Sequence, residues 1–156
     1  MKRILVLSDT HNRISAAARI TELMQPDAII HLGDLVRDAE KLEDLYPDIP
    51  LYKVRGNNDF APIDCEKVFT LFGYRLFCAH GHTLSVERGI ARAKEQDCTA
   101  YLYGHTHIGR CETQDGILIL NPGSLTLPRD GTFSFGIIEI DESGMHACVC
   151  PAEGYI

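Results

Sequence analysis

The chain predicts an α/β fold of two packed β-sheets with helices outside them, and three observations carry that expectation. Its first third alternates short apolar runs with helical patterns, as parallel strands joined by crossover helices do. The remainder is mostly strand, and about nine or ten strands are many for one open sheet in 156 residues. Apolar runs repeatedly end in clusters of Gly, Asp, Asn and His, so the strand ends point to one shared edge.

Ile4 to Leu7 is continuously apolar, as a strand buried on both faces should be. Residues 15 to 25 place Ala16, Ile20, Leu23 and Met24 at helical spacing, with Ser15 as cap and Pro26 as stop. Ala28 to Leu32 is a second buried strand. Asp38 to Tyr46 repeats the helical pattern through Leu42 and Leu45 before Pro47, and Leu51 to Val54 is a third strand. Val68 to Phe72 and Arg75 to Ala79 form a hairpin joined at Gly73 and Tyr74, and a helix through Val86, Ile90 and Ala93 follows Ser85. Thr99 to Tyr103 is another strand. Asp115-Gly116 turns Arg110–Thr113 back into Ile117–Leu120, and Ser143-Gly144 separates Ser134–Ile140 from Met145–Cys150. No repeat or linker divides residues 1 to 156, so one domain is expected.

Composition narrows the function. The formal charge of −7 gives no broad basic footprint for nucleic acid. No apolar run is long enough for a membrane span or a signal-peptide core, so a soluble, cytoplasmic protein is expected. Cys65, Cys78, Cys98, Cys111, Cys148 and Cys150 contain no C-x-x-C pair and read as reduced, mostly buried thiols. Cys148 and Cys150 sit at alternate positions of a strand and share a face.

The strand ends carry the chemistry: ILVL is followed by SDTH, AIIHL by GD, LYKV by RGNND, RLFC by AHGH, TAYLY by GHTH, and ILIL by NPGS. Singly, each has an ordinary explanation. Asp9 and Asp34 suit turns or caps, Asn57 suits left-handed backbone, and His80 suits a satisfied core position. His105 and His107 are more telling, because positions i and i+2 of an extended segment present both imidazoles to one side. Together, Asp9, Asp34 and Asn57 offer oxygen and His11, His80, His105 and His107 offer nitrogen. That donor set suits Mn, Fe, Ni, Co or Zn rather than Ca or Mg. If Asp34 bridges two ions, each receives four protein ligands and keeps open positions for water and substrate.

The motifs D9-T10-H11, G33-D34, G56-N57-N58-D59, H80-G81-H82, G104-H105-T106-H107 and N121-P122-G123-S124 together resemble the calcineurin-like metallophosphoesterase superfamily. In length and in NPGS the chain is most similar to its small prokaryotic phosphodiesterase branch, which is related to the metallophosphoesterase-like retromer subunit. The resemblance covers residues 4 to about 140. It implies two mixed sheets flanked by helices and a binuclear metal centre at one edge, with Mn as the expected ion. By position it gives Asp9, His11, Asp34 and His107 to one ion, and Asp34, Asn57, His80 and His105 to the other. It further implies a metal-dependent hydrolase in which a bridging hydroxide attacks phosphorus in line.

Two departures from the family pattern stand out. Asn12 replaces the usual glycine after D-x-H, which alters backbone freedom but no ligand. Asn58 stands where many monoesterases and protein phosphatases place an acidic histidine, and an amide cannot donate a proton at neutral pH. Small phosphodiesters or other substrates with good leaving groups are therefore expected. His82 is the candidate replacement acid, with a supporting or exposed loop histidine as its ordinary alternative. His31 reads as a core or supporting residue, His146 as structural, and Arg13, Arg55 and Arg129 have no assigned role. A non-catalytic scaffold on the same fold is the alternative, although all seven donor positions are filled; a phosphomonoesterase or protein phosphatase is disfavoured by Asn58. Membrane and nucleic-acid partners are not expected, and a homo-oligomer is compatible with the sequence.

Overall fold

Ile4 and Val6 face one side of their strand, Leu5 and Leu7 the other, and all four are buried. The computed structural model, which describes residues 1–155, shows why. Its elements run β1 (Lys2–Leu7), α1 (Ile14–Met24), β2 (Ala28–His31), α2 (Val36–Leu45), β3 (Leu51–Lys53), β4 (Glu66–Leu71), β5 (Tyr74–Ala79), α3 (Val86–Glu95), β6 (Ala100–Leu102), β7 (Arg110–Gln114), β8 (Ile117–Asn121), β9 (Ser134–Asp141) and β10 (Gly144–Pro151). They form two mixed five-stranded sheets, ordered β10-β9-β1-β2-β3 and β4-β5-β6-β8-β7. The inner faces meet through Ile4, Val6, Ile30, Leu76, Leu102 and Leu120. Outside the first sheet, Ala17 and Ile20 of α1 and Leu42 of α2 cover Leu5, Leu7 and Ile29. Outside the second, Ile90 and Ala93 of α3 cover Phe77, Tyr101 and Ile119.

Within the first sheet β1, β2 and β3 are parallel, and within the second β5, β6 and β8 are parallel. Each set therefore delivers its carboxyl ends, and the loops that follow, to one edge. The antiparallel partners are supplied by short turns. Asp115 and Gly116 both have positive φ, the requirement of a two-residue type I′ hairpin.

Several local expectations shift. The β4–β5 turn is Phe72-Gly73 rather than Gly73-Tyr74, because both turn residues take positive φ and Tyr74 is already paired with Leu71. Helix α1 begins at Ile14, after an Arg13 that makes no side-chain cap, so Ser15 lies inside the first turn. Ser85 does cap α3, accepting from the Arg88 amide at 3.2 Å. All six cysteines are free, but only Cys78 and Cys98 are buried; Cys111 and Cys148 are exposed, on the edge strands β7 and β10. The shared face of Cys148 and Cys150 holds, with their sulfurs 3.4 Å apart. His146 is tied to the β9–β10 turn through Ser143 Oγ at 2.7 Å.

One buried polar chain links these elements. The Gly33 amide donates to His31 Nδ1 at 3.2 Å, so the ring proton sits on Nε2 and faces Thr10 Oγ1 at 3.0 Å. Thr10 in turn donates to Asp38 Oδ2 at 2.6 Å, which also accepts the Asn12 amide at 2.9 Å. The chain fixes the loop after β1 against β2 and the first turn of α2. It requires a neutral His31, and burial pushes that imidazole down to about 4, with Asp38 and Asp9 opposing the shift. Because the folded value lies below the ordinary 6.5, its stabilising contribution is fully present above pH 6.5 and is lost as pH falls from 6.5 toward 4. Urea unfolding of chelator-treated protein across that window should show His31→Gln losing less stability than the parent, by up to about 3 kcal/mol. Parallel curves for the two proteins would contradict this account.

Candidate metal centre

The site is assembled from loops that follow parallel strands: Asp9 and His11 after β1, Asp34 after β2, Asn57 after β3, His80 after β5, and His105 and His107 after β6. Backbone bonds tie neighbouring loops together. Asp9 N donates to Gly33 O, Thr10 N to Asp34 O, and Gly104 N to His80 O, each within 3.0 Å. Asp59 gathers the loops after β2 and β3, since its carboxylate accepts from the amides of Asp34, Gly56 and Val36 at 2.7–2.9 Å. The NPGS segment closes the ring: Ser124 donates to Asp9 O, Thr126 to Thr10 O, and Asn121 Nδ2 to Gly104 O.

Backbone conformation marks the same residues. Asp9, His11, Asp34, His105 and His107 all have positive φ, which costs about 1 kcal/mol or more for a residue with a side chain. Asp, Asn and His tolerate this region better than most. Asn12, where the family pattern has glycine, takes it too, at φ 67°, and its amide is held by Asp38. Gly33, Gly56 and Gly104 leave no room for a side chain. A Cβ on Gly56 would strike Asp34 Oδ1 and stand 2.6 Å from Asp34 N, and one on Gly104 would strike Ser8 Oγ and stand 2.9 Å from Asp9 Oδ2.

Asp9 is the centre of the cluster. Its Oδ2 accepts from Ser8 Oγ at 2.6 Å and from the His105 amide at 3.0 Å, whereas its Oδ1, fully buried, has no hydrogen-bond partner. Around Oδ1 stand His107 Nε2 at 3.1 Å, His80 Nε2 at 3.7 Å and His11 Nε2 at 3.9 Å. His11 Nε2 is likewise buried without a partner. The Nδ1 atoms of His80 and His107 lie 2.8 Å and 2.7 Å from the carbonyls of Leu32 and Leu127. A carbonyl only accepts, so both Nδ1 atoms carry protons and leave the Nε2 lone pairs directed inward, the usual arrangement of a metal-ligating imidazole.

Two groups whose donor atoms lie within 4.8 Å of one another, and so could hold a metal ion, result: Asp9–His11–His107 and Asp9–Asp34–His80. The second extends to His105, whose Nδ1 lies 3.3 Å from His80 Nε2 and 3.2 Å from Asn57 Oδ1. All seven expected ligands thus converge. In this geometry Asp9 is the residue common to both groups, while Asp34 Oδ2 lies 3.6 Å from His80 Nε2. Both oxygens of Asp34 accept from Asn58, Oδ1 from its amide at 2.9 Å and Oδ2 from its side chain at 2.8 Å. Asn58 is therefore a support for Asp34.

His82 packs beside the cluster, its ring 5.5 Å from His80 and 6.3 Å from His105, and its Nδ1 is buried without a partner. Burial, then His80, His105 and Arg55, push it below the ordinary imidazole value, with Asp34 opposing. His105 is pushed down as well, by burial and then His80. His31 lies under the site in the buried chain already described. Arg129 is held beside His107 by its amide, which donates to the His107 carbonyl, and Arg55 is tied to Ile63 and Asp64. Asp38 lies outside every strand-end motif, and its role shows only in the fold; Ser8, Thr10, Asp59 and Ser124 stand inside those motifs, which is the signal for them.

Residues 1–143 match the calcineurin-like phosphoesterase superfamily domain. The chain belongs to this family. Its members are hydrolases acting on phosphoester bonds and use divalent metals. A probable metallophosphoesterase of Mycoplasma pneumoniae is 32% identical over 137 residues, covering 83% of each chain. The phosphodiesterase YfcE of Escherichia coli is 27% identical over 169 residues, covering 90% of this chain and 89% of its own. In fold, the crystal structure of Vps29 from Chaetomium thermophilum aligns with TM-score 0.74 at 21% identity, covering 96% of this chain and 94% of that one.

The Gly104 contact gives a direct test. Gly104→Ala should displace Ser8 and Asp9 and weaken Mn²⁺ binding by about ten-fold or more, the size of effect expected when a metal ligand loses its support. Titration calorimetry on the folded variant measures it; unchanged affinity would mean that the approach of Gly104 to Asp9 does not shape the centre.

Proposed function

We propose that the chain is a two-metal phosphodiesterase whose ligands are Asp9, His11, Asp34, Asn57, His80, His105 and His107. The observation that carries the proposal is the unpartnered Asp9 Oδ1, ringed by inward-facing imidazole nitrogens. Lone pairs facing a buried carboxylate oxygen need positive charge between them, and a divalent cation supplies it. We assign Asp9, His11 and His107 to one ion and Asn57, His80 and His105 to the other; Asp34, which groups here with Asp9 and His80, is assigned to both on the family pattern. Three oxygen and four nitrogen donors suit Mn²⁺, Ni²⁺, Co²⁺, Fe²⁺ or Zn²⁺, and of these we take Mn²⁺ as the ion.

When bound, the two ions supply Lewis acidity to the phosphoryl oxygens and an activated water for in-line attack. The protein's own residues do the rest. Leu32 and Leu127 carbonyls hold His80 and His107 in the ligating tautomer, and Asn58 holds both oxygens of Asp34. With Asp9 and Asp34 as its carboxylates, a loaded centre keeps net positive charge and attracts an anionic diester despite the overall −7. Asn58 has no titrating proton to give, which favours esters with good leaving groups. His82 lies outside the ligand set with its ring packed beside His80 and His105, and we assign it proton donation to poorer leaving groups. The diesterase name of the Escherichia coli relative supports the same substrate class. A small soluble substrate and a cytoplasmic location belong to this proposal. Among the described residues no helix is long and apolar enough to cross a membrane.

Chelator-stripped protein should lose hydrolysis of bis(p-nitrophenyl) phosphate and regain it with Mn²⁺, at a higher kcat/KM than for p-nitrophenyl phosphate. Asp34→Ala should stay inactive with Mn²⁺ present. Turnover that ignores metal, or full activity in Asp34→Ala, would overturn the assignment; no turnover in protein that binds two ions would favour the scaffold alternative.

A further inference from the structure

Phe60 is 99% exposed, although its neighbour Asp59 is buried and pinned by three backbone amides. On the other side the Arg55 amide donates to Asp64 O at 2.9 Å, closing the loop behind the ring. The ring is thus presented to solvent by a loop fastened at both ends. It borders an open cavity of about 320 Å³ whose walls include Leu35, Val36, Arg37, Glu40 and Asn58. Asn58 is the side chain that donates to Asp34 Oδ2, so one wall of the cavity touches a proposed metal ligand. Arg37 is tied to the opposite loop of the centre, donating to Asn12 Oδ1 at 2.8 Å.

From this juxtaposition we infer that Phe60 is a stacking platform for a nucleobase, and that the substrates of the centre are nucleotide phosphodiesters. The inference rests on the phosphodiesterase proposal and names its substrate class. An exposed aromatic face next to a phosphate-binding centre gains by stacking on a flat ring, and every base has such a face. The cavity lies at the small end of the range for ligand pockets, which fits one base rather than two. Leu35, partly exposed, gives it an apolar wall, while Arg37 and Glu40 offer a donor and an acceptor for the polar edge of a base. An uncharged aliphatic arm has no flat π face to lay on the exposed ring.

The test compares two phosphates that differ only by the base. Adenosine 5′-monophosphate and ribose 5-phosphate are titrated by calorimetry into the full chain loaded with Mn²⁺. The nucleotide should bind about ten-fold tighter or more, as base–aromatic stacking gives. Phe60→Ala should bring the two affinities within about two-fold, and Phe60→Trp should keep the preference. Removing so exposed a side chain should leave the unfolding temperature unchanged. Equal affinities in the parent chain, or a preference that survives Phe60→Ala, would overturn the inference. So would a solution mass of two chains that falls to one in Phe60→Ala without any preference for the nucleotide, which would assign the ring to contact between copies. Because affinity is measured without turnover, this result is separate from hydrolysis of bis(p-nitrophenyl) phosphate, whose absence would count against the phosphodiesterase proposal instead.

Discussion

A buried carboxylate with one oxygen satisfied and the other bare is the constraint on which the rest of the site depends. Asp9 Oδ2 is fixed by Ser8 and by the His105 amide, and that pairing turns Oδ1 toward three imidazole nitrogens. Leaving a charged oxygen buried and unpaired is costly, so the arrangement makes physical sense as a receptacle for a cation. The carbonyls of Leu32 and Leu127 complete it by fixing which nitrogen of His80 and His107 faces inward.

The sandwich exists, from the viewpoint of the site, to bring two parallel strand sets to one edge. Asp9, Asp34 and Asn57 come from the first sheet, and His80, His105 and His107 from the second. Each sheet alone would hold an incomplete set of donors. The join needs backbones closer than side chains ordinarily allow, hence Gly56 against Asp34 and Gly104 against Ser8 and Asp9. Positive φ at five of the ligands is a further local cost, offset by the hydrogen bonds that Asp59, Ser124 and Asn121 make across the loops.

Much of this was legible in the sequence, because strand burial and metal ligation both leave local patterns. The run Ile4–Leu7 announced a strand covered on two faces, and GHTH announced two imidazoles for one site, although both take positive φ instead of the extended backbone expected there. What stayed hidden depends on spatial neighbours far apart in the chain. Asp38 read as the start of a helix, yet it lies within 3 Å of Thr10 Oγ1 and Asn12 N, beneath the D-x-H loop. Asn58 read as a lost acid, and only the folded geometry shows it gripping Asp34. The exposure of Cys111 and Cys148 follows from β7 and β10 being sheet edges, which strand periodicity does not reveal. The β4–β5 turn slipped by one residue because Gly73 signals a turn without saying which neighbour shares it.

Anomalous diffraction from crystals soaked in Mn²⁺ tests the central claim most directly. The account expects two peaks in the cluster, one contacted by Asp9, His11 and His107, the other by Asn57, His80 and His105, with Asp34 between them. An empty cluster, or manganese bound only elsewhere on the chain, would contradict it.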